Sequence, residues 1–570
     1  MRIAVAAGAD GGGELRPLAE DGTPAGPAET VADLVTAIAD RERSGAPRWV
    51  WPATARLYPR LVRAGVRVAR CHDLELVESL LLGHAGHYGE PRSVRAAWAR
   101  LRGEPVPADP LPAGELPPQA SLFDDAVPAD HDELEQVVAV HAEQQRRIAA
   151  LDGFALLAAA ESAGSLVAAE MSHDGLPWSE TEHDALLTEL LGPRPSGGLR
   201  PRRLQVLADR VSAAFGGRAH VNPDSPGQIV KAFASAGVTI TSTRAHVLKG
   251  LDHPAVPDLL EYKELSRLHT AHGWTWLDTW VAGGRFRPEY VVGGVVSGRW
   301  ATNGGGALQI PRVLRRAVVA DPGWSLVVAD AAQLEPRVLA VLAGDRAFAK
   351  AAAEGDLYAA LAPAFGGART PAAQPPAGDP AVAERPAKEM TARDKAKIAL
   401  LSAMYGGGTG EAVQLLGILK NRFPDAFAYV EAAARAGEQG RLVRSRLGRT
   451  CPPPSAGWRE LTSTGDDTSA GQALRSRGRF TRNFVVQATA ADWALALLGS
   501  LRRRLTALGP PRLVFFQHDE VIVHTPADLA GEVAAAVREA GEEARRLLFG
   551  DTPVVFPMEI AIVDRYADAK

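Results

Sequence analysis

Cysteine is almost absent from this chain: Cys71 and Cys451 are the two in 570 residues, and neither sits in a CxxC pair. That excludes a disulfide framework and a cysteine-based zinc site. Lysine is scarce too, since all but nine of the 63 basic residues are arginine and the first lysine is Lys231. No run of about 18 uncharged apolar residues is present to span a bilayer. The N-terminal MRIAVAAGADGGG has only a short apolar run before its glycines, unlike a leader. The expectation is a soluble, cytoplasmic protein. The net charge of -4 gives no sign of a polyanionic partner, so any nucleic-acid surface has to be a local patch. What the chain does have is length for several domains, and 46% hydrophobic residues to build their cores.

The first ~130 residues read as α/β. Strands are predicted at Arg2–Ala6, Trp49–Trp51 and Val66–Ala69, and helices at Thr30–Arg41 and Leu74–Leu82. A Pro-rich stretch, 104–119, follows. From Asp130 the pattern turns helical, beginning with DELEQVVAVHAEQQRRIAAL and running to about Ala271. Between Arg285 and Val341 glycine-rich turns alternate with apolar runs. A Pro/Ala-rich insertion, 370–387, precedes a long helix, an Arg-rich loop, another long helix and the strand pair LVFFQHDEVIVHTP.

Two apolar runs end on carboxylate: WSLVVAD at Asp330, and LVFF followed by Gln517-His518-Asp519-Glu520. A buried strand gains nothing from a carboxylate unless it is paired or metal-bound. Taken singly, each reads as a helix cap or a hairpin turn. Taken together, they fit adjacent strands presenting Asp330 and Asp519 to a pair of Mg²⁺ ions, the arrangement of in-line phosphoryl transfer.

Arg393, Lys397, Leu401 and Tyr405 are spaced four apart and run into glycines 406–408. At 3.6 residues per turn they share one helix face. Two cations, an apolar side chain and an aromatic in that order match a nucleoside triphosphate lying along the helix, phosphates first. The plainer alternative is a solvated basic face that runs into a core tyrosine.

The segments Asp330-Ala-Ala-Gln333-Leu-Glu335-Pro-Arg337, Arg393-xxx-Lys397-xxx-Leu401-xxx-Tyr405-Gly406 and Gln517-His518-Asp519-Glu520 resemble motifs A, B and C of the family A DNA polymerases, in order. Ser297-Gly298-Arg299, Leu308-Gln309-Ile310-Pro311, the run from Arg479 through Asn483 and Gln487 to Asp492, and Asn222-Pro-Asp-Ser-Pro-Gly-Gln228 extend the resemblance from about Glu170 to the C-terminus.

The resemblance implies a multidomain α/β and α+β chain. It would comprise a degenerate RNase H-like 3′-5′ exonuclease-type domain over 1–135, a helical thumb over 136–265 and a first palm part over 266–345. Fingers over 346–490 and a second palm part over 491–570 would follow. It implies template-directed addition of dNTPs to a primer 3′-hydroxyl, with two Mg²⁺ (Mn²⁺ as a substitute) on Asp330, Asp519 and the Ala331 carbonyl. Lys397 would neutralise and protonate the phosphate chain, and Arg393 would grip its distal end. Leu401, Tyr405, Gln333 and Glu335 complete the implied dNTP site, with Glu335 and Tyr405 as the gate against a 2′-hydroxyl. Arg299, Arg337, Arg479, Asn483, Gln487 and His518 are the implied DNA contacts. Primer-template DNA and dNTPs are the expected partners, with no membrane, for a monomer in the nucleoid-associated cytoplasm.

Between Arg441 and Arg482 nine arginines face only Glu460, Asp466 and Asp467, a patch suited to phosphates. Departures from the family pattern are Leu401 in place of an aromatic, glycines 304–306, a missing Asn after Gln309, and Pro336. In the N-terminal region the first strand lacks an Asp-x-Glu pair, Asp73-Leu-Glu75 follows a later strand, and helix 131–150 has no Tyr-xxx-Asp. Proofreading is therefore expected to be lost. The length leaves no room for a 5′-nuclease region. Two alternatives remain, a single-subunit RNA polymerase, against which Glu335 speaks, and a non-catalytic DNA-binding relative.

Overall fold

A computed structural model describes residues 1–110, 133–217, 220–306, 310–364, 391–406 and 411–569. Gln309, most of the 370–387 insertion's surroundings and the insertion itself, and glycines 407 and 408 lie outside the described residues.

The N-terminal sheet has the order β3-β2-β1-β4-β5, built from β1 (Arg2–Ala7), β2 (Gly13–Leu18), β3 (Glu29–Val31), β4 (Arg48–Trp51) and β5 (Arg70–Asp73). β1 pairs antiparallel with β2 and parallel with β4. The last strand falls at Arg70–Asp73 and not at the expected Val66–Ala69, because the Val68 and Ala69 carbonyls are taken by Arg502. The expected helix at Thr30–Arg41 begins only after an edge strand, as α1 (Leu34–Gly45), where Asp33 caps its first turn. α2 (Thr54–Arg63), α3 (Leu74–Ala85) and α4 (Val94–Arg102) complete this layer.

α5 (Glu133–Ala149) packs Leu134, Val137, Val138 and Val140 with Ala4, Val50, Leu74 and Val94. α6 (Phe154–Asp174) is apolar nearly all round, the pattern of a helix buried on every side. It lies between α2 and β5 on one side and the palm on the other. Both helices therefore pack with the N-terminal layer, across the boundary expected at 136. Helices α7 (Glu180–Leu191), α8 (Arg202–Ala214), α9 (Pro226–Ser235) and α10 (Ala255–His272) pack around Leu187, Leu207, Phe233 and Leu259, within the stretch expected as the thumb.

The four-stranded sheet of the expected palm runs β7-β8-β6-β9, all antiparallel, from β6 (Trp324–Ala331), β7 (Arg512–Gln517), β8 (Glu520–Pro526) and β9 (Met558–Val563). Helix α11 (Leu334–Ala343) follows β6, α12 (Ala392–Tyr405) lies in the fingers, and α13 (Asp467–Leu508) crosses the expected fingers–palm boundary at 490 without a break. α14 (Ala530–Phe549) covers the sheet. Two helices, α6 and α13, are long and apolar enough to cross a membrane, but 72% and 89% of their apolar windows are buried inside the fold.

Histidines 72 and 141 meet edge to face under the N-terminal sheet, ring centroids 4.9 Å apart. His72 Nε2 bonds the Gln144 amide oxygen at 2.9 Å, while neither ring nitrogen of His141 has a partner among the described residues. Burial drives His72 down to about 4 and His141 to about 2, with Arg48 and Arg2 adding repulsion in each case. Both folded values lie below the unfolded ~6.5, so stability is complete above that pH and falls as protons bind the unfolded chain first. The expected loss is ~1.4 kcal/mol per histidine per pH unit below about 6. Denaturant midpoints measured from pH 7.5 to 4.5 should drop, and His141→Phe should flatten the slope; an unchanged slope would refute the assignment.

Candidate active site

β6 is one of the two inner strands of this sheet, and Leu326 to Ala329 are buried on both faces. The strand therefore carries Asp330 to the edge of the core, opposite Glu520 of β8 and Glu559 of β9. His518 and Asp519 form the two-residue turn between β7 and β8, with Gln517 facing Glu520. His518 takes a φ of 59°, the left-handed backbone that a two-residue hairpin turn demands. The Ala331 amide donates to the Asp519 carbonyl at 3.1 Å, which ties the turn to the end of β6. The two carboxylates thus share one end of the sheet. Burial, then the charge of Asp330, pushes Asp519 up to about 7, against the opposing pull of Arg299. Two carboxylates that resist joint ionisation gain from a divalent cation between them.

Beyond β6, Gln333 turns the chain with a φ of 56° and starts α11. Glu335 in its first turn pairs with Arg299 and accepts a hydrogen bond from the Tyr405 hydroxyl. Burial and Glu335 raise Tyr405 to about 12, and Gln487 also reaches this hydroxyl. Arg299, Glu335, Tyr405 and Gln487 are therefore one connected group. Pro336 lies in the first turn of α11, where a missing N–H removes no intrahelical bond.

On α12, residues Lys395, Ala396, Ala399, Leu400, Ala403 and Met404 are buried. Arg393, Lys397 and Tyr405 are exposed and Leu401 is half-buried, forming the outward stripe. Gly406 ends the helix in the left-handed conformation. A second stripe runs along α13, where Arg479 is exposed and Asn483 and Gln487 are half-buried among fully buried neighbours. The Asn483 amide oxygen has no partner.

Two expectations change. Arg337 is fully buried, and its guanidinium donates to the carbonyls of Ala332, Ala352, Glu354, Gly355 and Val555 and to the Gln333 side chain. A cation so enclosed is unavailable to DNA, and Arg337 leaves the set of implied contacts. The arginine patch is also smaller than its sequence suggests. Arg449 and Arg482 are buried, and Arg477 donates to the Pro452 carbonyl, whereas Arg441, Arg446, Arg459, Arg475 and Arg479 are exposed.

Arg449 itself was not expected. It bonds Asp492 at 2.8 Å and Glu161 of α6 at 2.7 Å, while Ser445 donates to the other Asp492 oxygen at 2.6 Å. It lies directly against Gly298, where a Cβ would fall 2.4 Å from its Nε. This buried triad packs against Gly298, the residue before Arg299. Glycines 304 and 305 have a similar reason: both have positive φ, a Cβ on either would strike Trp280 or Phe286, and the Trp276 indole donates to the Gly305 carbonyl at 2.8 Å. Among the described residues no three His, Cys, Asp or Glu side chains cluster as a metal site. The two aspartates fit Mg²⁺ nonetheless, because that ion is held by one or two carboxylates with substrate phosphates and water.

The family model for DNA polymerase family A matches residues 201–566. DNA polymerase I of Chloroflexus aurantiacus is 28% identical over 348 residues, 57% of this chain and 33% of that protein. Thermostable DNA polymerase I of Thermus thermophilus is 28% identical over 346 residues, 56% of this chain and 37% of that one. The chain therefore spans about a third of the length of these curated relatives. The solved POL domain of Pol1 from M. smegmatis, in complex with DNA primer-template and dNTP, shares the fold with a TM-score of 0.71. It is 19% identical, over 100% of this chain and 95% of that one.

Proposed function

The chain belongs to DNA polymerase family A, and from that premise we propose that it is a DNA-directed DNA polymerase, adding dNTPs to a primer 3′-hydroxyl under template direction. The observation that carries this reading is the meeting of Asp330 and Asp519 at one end of the palm sheet, with Asp519 held up by burial and by its neighbour. Asp330 and Asp519 would hold two Mg²⁺. When bound, these ions lower the pKa of the 3′-hydroxyl and neutralise charge on the α-phosphate and leaving pyrophosphate.

The protein's own groups do the rest. Arg393 and Lys397 on the exposed stripe of α12 would grip the triphosphate, and Lys397 would supply a proton to the leaving pyrophosphate. Leu401 and Tyr405 lie against sugar and base. Glu335, held by Arg299 and Tyr405, fills the space a 2′-hydroxyl would need. His518, Arg479, Asn483 and Gln487 line the duplex side, where minor-groove acceptors are nearly alike for every correct pair. The five-stranded sheet of the N-terminal domain supports an RNase H-like, exonuclease-type fold. Proofreading is assigned as lost there: Asp73 accepts from the amides of Thr54 and Leu76, and Glu75 pairs with Arg56.

Primer extension with dNTPs and with rNTPs tests the proposal. Extension with dNTPs and poor use of rNTPs is expected; robust rNTP incorporation would favour an RNA polymerase, and no extension with Mg²⁺ or Mn²⁺ would leave a DNA-binding relative. Glu335→Ala should raise rNTP use relative to dNTP by ~10–100-fold, the range for one discriminating pocket contact. Unchanged selectivity, measured as the ratio of kcat/KM values, would dismiss Glu335 as the gate.

A further inference from the structure

Asp356 precedes the short helix Leu357–Leu361, and its two carboxylate oxygens have separate partners. Oδ1 accepts from the amides of Tyr358 and Ala359 at 3.0 and 3.2 Å and from the Gln333 side-chain amide at 3.0 Å. Oδ2 accepts from Arg393 Nε at 2.8 Å. The bond to Arg393 therefore engages the inner nitrogen of the guanidinium, and its plane lies over Tyr358, Cζ 5.6 Å from the ring centroid. Arg393 is otherwise an exposed side chain in the first turn of α12, with several rotatable bonds to immobilise before it can bind anything. One carboxylate thus joins Gln333, three residues beyond Asp330, to the first cation of the fingers stripe.

We propose that Asp356 is a positioning residue for the nucleotide. Through Oδ2 it fixes Arg393 with the two terminal nitrogens free for the distal phosphates, and through Oδ1 it fixes Gln333 on the palm side. Palm strand and fingers helix then present their polar groups to the triphosphate as one preorganised set. This rests on the polymerase reading above. A carboxylate that merely sequestered Arg393 would act in the opposite direction, and removing its charge would tighten nucleotide binding.

Asp356→Asn separates the two roles. An amide keeps an oxygen at the Oδ1 position for the helix cap and for Gln333, while its NH₂ cannot accept from Arg393 Nε. The full chain is to be assayed in two ways: single-nucleotide incorporation on primer-template, and dNTP titration onto the complex with a 3′-dideoxy-terminated primer. We expect Asp356→Asn to raise both the KM and the Kd for dNTP by ~5–10-fold, the net worth of about one ordinary hydrogen bond. The kcat should stay within about twofold and the Tm should not change. On an Arg393→Ala background the same substitution should add nothing. Unchanged or tighter dNTP binding, or an equal loss on the Arg393→Ala background, overturns the assignment. If the terminated complex shows the coupling while the wild-type chain extends no primer, the polymerase reading fails and this one stands. Extension without the coupling gives the reverse.

Discussion

Replacing Asp330 or Asp519 by alanine is expected to lower primer extension by ~10³-fold or more while primer-template affinity stays within about twofold. On the proposed reading the affinity would reside in cations on α12 and α13, far more than in two acids that repel a polyanion. A second readout separates loss of chemistry from loss of structure. Burial and Asp330 raise Asp519 above its ordinary range, so its ionised form is a burden on the folded protein at neutral pH. Asp519→Ala should therefore be no less thermally stable than wild type. A variant that extends normally would overturn the metal assignment, and one that loses activity together with several degrees of Tm would point to misfolding instead.

The other large effect is expected at Arg449. With Glu161 and Asp492 it forms a buried charge triad in which every member is almost inaccessible. Arg449→Met leaves two buried carboxylates without their cation, a defect of ~3–5 kcal/mol. Since Arg449 also lies against Gly298, the loop carrying Arg299 loses its support, and dNTP selectivity should fall along with stability. Neutralising the acids in the same molecule, as Glu161→Gln/Arg449→Met/Asp492→Asn, should recover much of the loss because unpaired charge is the main cost. Urea unfolding followed by near-ultraviolet signals would check both; equal destabilisation of single and triple variants would show packing, rather than charge, to be responsible.

The difference between these two sites explains what was legible beforehand. Asp330 and Asp519 stand out because an apolar strand that ends on an acid is anomalous within a few residues of sequence. Arg393, Lys397, Leu401 and Tyr405 stand out because helical periodicity is local, and α12 does place them on its outer stripe. Asp356 reads only as a helix cap, since its second partner is 37 residues away, and Glu161 reads as one polar residue in an apolar helix, its partner Arg449 being 288 residues away. Arg337 was misplaced for the same reason. The resemblance implied a DNA contact for the last residue of the motif A segment, and nothing nearby reveals the ring of carbonyls that receives it. The packing of α5 and α6 with the N-terminal layer was not legible either, because helix content alone does not say which body a helix packs against.

Helix α6 has a consequence for dissecting the molecule. It gives Glu161 to Arg449 beneath the active site and Glu170 to Arg502, and Arg502 also holds the Val68 and Ala69 carbonyls of the first domain. One rod is thus an inner wall of two rooms. A truncated chain beginning after α5 would strip the outer side of that rod and leave Arg502 without the Tyr58 hydroxyl and the Val68 and Ala69 carbonyls, three of its five acceptor atoms. The first domain can be indispensable as cladding whether or not it cuts DNA, and a shortened reagent would need a redesigned outer face on α6 before its activity could be compared with that of the parent.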